Sequence, residues 1–218
     1  MSHSYIFFCE GRRDRRFLKR LIQEKKKGTT VREIEPRDLD NLLRNKRFRG
    51  VALVESGGSN AMLKIAAKVS RDLANQPRVL LTADVFVIGD SDKVSKTMFM
   101  ERLNMQIQKL QHSNPLLKVR EEGNECVVLE NLKEQGYTVR AFVLTVPNNL
   151  ENQLADGIRR LFSREVKKLN NDDDVVRFYC YTKYECDEEK MMDEDVDVVG
   201  PLLDSAWAKR IVDMIEDC

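Results

Sequence analysis

Apolar residues follow two rhythms along the chain. Short apolar runs in YIFFC (5–9), VALVE (51–55) and DVFVI (84–88) read as buried strands. ECVVLEN (125–131) and YTVRAFVLTV (137–146) read as two more, joined by a turn containing Gly136. TTVREIE (29–35) alternates and suits an edge strand. Between these runs the spacing turns helical. Residues 13–26 carry Phe17, Leu18, Leu21 and Ile22 at i, i+1, i+4 and i+5. Residues 36–48 form a short helix with proline in its first turn, and 59–73 an amphipathic helix with Ser59 as N-cap. Residues 95–111, 148–169 and 200–217 complete the helices, with Trp207, Leu202, Leu203 and Ile211 anchoring the last. VVRFYCYTKY (175–184) suits a strand or the start of a helix, and the acidic stretch 185–197 a loop or poorly ordered segment. No internal repeat or low-complexity linker occurs.

Strands alternating with helices predict an α/β protein, three-layer, with a mostly parallel central sheet flanked by helices. Residues 1–150 make the α/β domain, and 151–218 a C-terminal helical extension packed on the same domain. Sheets of this kind place ligands in the crevice at the carboxyl ends of their strands. The three clearest strands all end on acid: Glu10, Glu55, and the pair Asp90 and Asp92. Carboxylates sharing a small volume raise one another's pKa and destabilise the fold. A divalent cation removes that cost, and Mg²⁺ prefers such oxygen ligands.

The flanking residues extend the pattern. In CEGRRD, Gly11 permits a sharp strand-to-helix turn, and Asp14 follows Glu10 by four residues. Arg12, Arg13, Arg15 and Arg16 surround the same helix start, which itself favours anions. In VESGGSN, Gly57 and Gly58 allow close backbone approach, to a phosphate or to the neighbouring strand.

Charge adds an asymmetry that the net value of +1 hides. Residues 1–49 hold fifteen Lys/Arg against seven Asp/Glu, and residues 171–197 hold eleven Asp/Glu against three Lys/Arg. A basic front suits a polyanion; solvated helix faces would give the same count. Hydrophobic content of 42% supports a real core, and no apolar run reaches a membrane span. The first residues lack a basic region and a small-residue cleavage site, so no signal peptide is expected. Five irregularly spaced cysteines without a CxxC pair point to reduced thiols and a cytoplasmic location, not structural zinc. His3 and His112 lie far from the motifs and are expected at the surface.

Glu10-Gly11 after the first strong strand, Gly57-Gly58 after the second and Asp90-Ser91-Asp92 after the third resemble the Toprim domain. That family is shared by topoisomerases, bacterial primases, the overcoming-lysogenisation-defect nucleases and small ribosomal-RNA maturation nucleases. The resemblance covers roughly residues 4–150, and the whole length looks most like small archaeal Toprim-like proteins of unassigned function. It implies that Asp90 and Asp92 bind Mg²⁺ or Mn²⁺. Glu10 would act as general acid or base or as a further metal ligand, and Asp14 matches an acidic position of the nuclease branch. VPNNLENQL (146–154) resembles a segment in which a glutamate opens a late helix, which would add Glu151 to the metal site. Lys93 would contact the scissile phosphate, an inference from its position after the DxD. The sequence departs from several Toprim enzymes in lacking a further acidic residue just after the DxD, where Val94 and Ser95 follow Lys93. No zinc finger, topoisomerase tyrosine domain or ATPase domain accompanies the motifs.

Each residue also has a plainer reading. Glu10 caps a strand turn; Asp14 is a favourable charge in a helix's first turn; Asp90 and Asp92 form an Asx-turn and N-cap. Glu151 closes an N-x-x-E capping box with Asn148, and Glu55 sits outside the site. Taken together, the expectation is a metal-dependent nuclease acting on DNA or RNA through Arg12, Arg13, Lys93 and the glycine turns. The alternatives are a non-catalytic nucleic-acid-binding or adaptor module, and a small-molecule phosphotransferase. Nucleic acid is the expected partner, no membrane is, and a homodimer stays open.

Overall fold

Each strong apolar run becomes an inner strand of one sheet. A computed structural model of the chain describes residues 2–39, 41, 50–74, 81–90, 95–111, 117–131 and 138–215. Its strands are β1 (Ser2–Cys9), β2 (Val31–Ile34), β3 (Gly50–Glu55), β4 (Leu81–Asp90), β5 (Leu117–Glu122), β6 (Cys126–Asn131) and β7 (Thr138–Val146). They form one seven-stranded sheet in the order β2-β3-β1-β4-β7-β6-β5. The neighbours from β2 to β7 run parallel, and β6 is antiparallel to both β7 and β5. The protein is α/β with a mostly parallel sheet, as its alternating pattern predicts.

Alternate side chains feed two separate cores, because successive residues of a strand face opposite ways. Tyr5, Phe7, Leu53, Phe86, Ile88, Leu144 and Val146 pack on one face, and Ile6, Phe8, Val54, Val85, Val87 and Val143 on the other. Helices α1 (Arg12–Lys25), α2 (Ser59–Ala74) and α3 (Lys96–Gln111) follow β1, β3 and β4. The first core is covered by α1 together with α4 (Leu150–Leu161), α5 (Asp172–Tyr184), α6 (Glu188–Glu194), α7 (Val199–Leu203) and α8 (Ala206–Asp213). The second is covered by α2 and α3. Phe86 stacks between Phe7 at 4.4 Å and Phe142 at 5.1 Å. No helix among the described residues is long and apolar enough to cross a membrane.

The C-terminal third departs most from the sequence expectations. The helix expected over 148–169 ends at Leu161, and that over 200–217 breaks at Asp204 and Ser205, where the Ser205 hydroxyl caps α8. Residues 175–184 are helical rather than extended. The stretch 185–197 is not a loop: it carries α6, with Met191 and Met192 buried. One buried carboxylate organises this region. Asp195 accepts hydrogen bonds from the hydroxyls of Tyr179 and Tyr184, each at 2.7 Å, and from the Val198 backbone N–H at 2.7 Å. Strand β5 was not anticipated, since LKVREE is largely exposed and lacks a strong alternation. His3, expected at the surface, has a side chain only 18% exposed, with Nε2 3.0 Å from Asp84 Oδ2 at the amino-terminal end of the strands.

The connections decide where a site can form. Strand β1 leads through α1 to β2 and β3 on one side of the sheet. Strand β4 leads through α3 to β5, β6 and β7 on the other. The order therefore reverses between β1 and β4, and the crevice outside their carboxyl ends is the favoured place for a ligand.

Candidate functional site

Register brings two of the expected acids to this switch point. Cys9 pairs with Ile88, so Glu10, the residue after β1, lies beside the last residues of β4, which end on Asp90. The turn after β3 closes over the same strand end. The Ser56 and Gly57 N–H groups donate to the Cys9 and Glu10 carbonyls at 3.1 and 3.2 Å. Gly57 and Gly58 have φ of 73° and 118°, a backbone region that favours glycine. Their tight turn binds the neighbouring strand, and it brings Ser59 close enough for its hydroxyl to donate to Glu10 Oε1 at 2.6 Å. Gly11 works differently: its φ of −134° is ordinary extended backbone, and its N–H donates to Asp14 Oδ2 at 3.1 Å.

Asp14 reports how closely the carboxylates gather. Burial pushes its carboxyl up to about 7, and the negative charges of Asp90, Glu151 and Glu10 push in the same direction. Four acids from three parts of the chain thus share one electrostatic neighbourhood. Glu151 stands in the first turn of α4, but the expected capping box with Asn148 does not form. Asn149 is the N-cap, accepting from the Asn152 N–H at 2.6 Å, and Glu151 turns to Arg13 at 3.2 Å. Among the described residues no three Asp, Glu, His or Cys side chains stand close enough together to enclose a metal ion. The oxygen-only donor set still suits Mg²⁺, which keeps most of its waters and needs only one or two carboxylates. Asp92 and Lys93 lie outside the described residues.

The arginines of α1 are already engaged. Arg13 meets Glu188 through two hydrogen bonds and reaches Asp173 at 2.8 Å. Arg12 and Arg16 both pair with Glu189, and Arg15 contacts Glu33 at 3.3 Å and Glu55 at 3.4 Å. The basic front and the acidic back, so separate in sequence, lie against each other. A cleft of about 560 Å³ remains between them, lined by Arg12, Arg13, Arg16, Cys186, Glu188 and Glu189. Sequence spacing gave no sign of these pairings, because ion pairs between residues some 175 positions apart leave no periodic trace.

The other flank of the crevice holds residues that no motif marked. Lys96, at the start of α3, and Arg210, on α8, both pair with Glu125. Trp207, on the same helix, stacks on Phe17 at 5.0 Å and donates its indole N–H to Gln153 Oε1 at 3.0 Å.

No family model matches the chain, and no curated protein matches it. Among solved structures, it is similar to a de novo designed protein of P-loop NTPase fold determined by solution NMR. The identity is 12%, the match covers 52% of this chain and 94% of that one, and the TM-score is 0.28. So low a score says nothing about the site.

Proposed function

We propose that this chain is a Mg²⁺- or Mn²⁺-dependent phosphodiester-cleaving enzyme of the Toprim type, acting on nucleic acid as a nuclease. One observation carries the reading: Glu10 and the Asp90 end of β4 lie side by side at the switch point, and Asp14 is buried next to them, where burial first and the charges of Asp90, Glu151 and Glu10 second push its carboxyl up to about 7. Isolated surface carboxylates have no reason to congregate, and perturbed acids in a crevice favour a functional site. Asp90 and Asp92 would hold the cation, with Asp14 and Glu151 beside them. Bound there, the cation would stabilise charge developing on the phosphoryl oxygens and orient an attacking water. Glu10, whose carboxylate accepts from the Ser59 hydroxyl, would move a proton to or from the attacking or leaving oxygen.

The deciding experiment pairs calorimetric titration of Mg²⁺ with a cleavage assay on DNA and RNA. Wild-type protein should bind the ion and cut, and Asp90→Asn should lose both while retaining its fold. Cleavage that survives Asp90→Asn would refute the reading. The second reading is a non-catalytic nucleic-acid-binding or adaptor module, and the pairing of Arg12, Arg13 and Arg16 with the protein's own acids favours its adaptor form. That pairing reduces the charge offered to a polyanion. It is favoured if no metal supports turnover.

A further inference from the structure

Beside the carboxylates, on the β7 side, lies a second cleft of about 440 Å³. Its walls are mostly apolar, formed by Ile88, Leu144, Val146 and Ile211 with the indole of Trp207. Two cations, Lys96 and Arg210, reach it from different helices, and both pair with the single carboxylate of Glu125. Among the described lining residues, these are the two charged groups, and they share that one carboxylate. Its size falls within the range of about 300–1,000 Å³ typical of small-molecule sites.

We propose that this cleft binds one nucleotide unit, with the planar base against Trp207 and the apolar wall and the phosphate at Lys96 and Arg210. The chemistry of the lining selects that class. A purely apolar ligand would leave two cations to share one carboxylate, and a bare anion would leave the indole and the aliphatic wall unused. Aromatic faces accept any base by stacking, and Lys or Arg beside them take the phosphate. Register ties the cleft to the acids: Val146, in its wall, pairs with Asp90, and Ile88 lies two residues before Asp90. Resting on the reading above, the cleft seats the nucleotide that flanks the phosphate presented to Glu10, Asp14 and Asp90.

Trp207 is the chain's single tryptophan, so its fluorescence reports on the cleft alone. Titration of metal-free protein with adenosine 5′-monophosphate should quench or shift that emission, saturably, at millimolar concentration or below. Lys96→Gln and Arg210→Gln should each weaken binding about tenfold, the loss of a charge-assisted hydrogen bond, with the melting temperature nearly unchanged. The titration needs no metal and no cleavage, so its result stands even if the nuclease reading falls. Inorganic phosphate and adenosine, tested separately, should each bind more weakly than the nucleotide. Absence of any response to the nucleotide, equal affinity for inorganic phosphate, or indifference to both cation substitutions would overturn the proposal.

Discussion

Arg13 and Glu188 face each other as a two-point pair, Nε to Oε2 at 3.1 Å and Nη2 to Oε1 at 2.7 Å. The Arg13 side chain is only 14% exposed. Burial works against its charge, but Glu188, Asp173 and Glu151 outweigh that cost and raise it above its usual value. The pair therefore joins α1 to the C-terminal helices more firmly than an exposed bridge would. Double-mutant analysis of Arg13→Gln and Glu188→Gln should give a coupling energy of about 1–3 kcal/mol in chemical denaturation. Coupling near zero would mean that the buried methionines of α6 hold the helix unaided.

The same pairing governs any polyanion that approaches α1. With Glu188→Gln and Glu189→Gln combined, Arg12, Arg13 and Arg16 lose carboxylate partners. Affinity for duplex DNA should rise. Its log–log salt dependence should steepen by roughly 0.9 for each added phosphate contact. Fluorescence anisotropy across a salt series reads both quantities. Unchanged slope with intact fold would remove α1 from the nucleic-acid surface.

The inner sheet was legible because buried parallel strands must be continuously apolar, and YIFFC, VALV and VFVI are. Acid at the strand ends was legible for the same reason: a carboxylate directly after such a run stands at the rim. What local pattern does not encode was missed. Strand β5 is a mostly exposed edge strand, held by pairing with β6 rather than by its own apolar residues. Composition alone suggests solvation for the acidic segment, and hence a loop. Its order rests on Met191, Met192 and the Asp195 hydrogen bonds, which become favourable only once α1 and α5 are beside it. Lys96, Glu125 and Arg210 are ordinary surface charges until the sheet brings them together.

Gly89 precedes Asp90 for a packing reason. A Cβ there would lie 2.6 Å from the tip of the Phe99 ring, which α3 presses against the strand. Gly89→Ala should cost about 1–3 kcal/mol through overpacking, and Phe99→Leu in the same chain should restore part of the loss. Thermal melts of the single and double variants measure this. If Gly89→Ala is neutral, the fit of α3 on β4 is looser than described.

Asp14 makes stability depend on pH in a direction opposite to most carboxylates. Its folded value of about 7 lies above the unfolded 3.8, so between these limits the native state keeps a proton that the unfolded chain has released. Stability from this residue therefore falls as pH rises through that window, and the loss is complete above about 7. Asp14→Asn removes the charge, and its side-chain oxygen can still accept from the Gly11 N–H. The interval from 3.8 to about 7 corresponds to roughly 4 kcal/mol at most. Relaxation of the site should reduce the gain for Asp14→Asn at pH 8 to about 1–3 kcal/mol, and the gain should vanish near pH 3. A cation held among these acids would compensate the same repulsion. Mg²⁺ should then raise the wild-type melting temperature more at pH 8 than at pH 5.5, with most of that difference lost in Asp14→Asn. Melting curves at both pH values, with and without Mg²⁺, decide the matter. An equal Mg²⁺ effect at both would mean that the carboxylates crowd together without binding the ion.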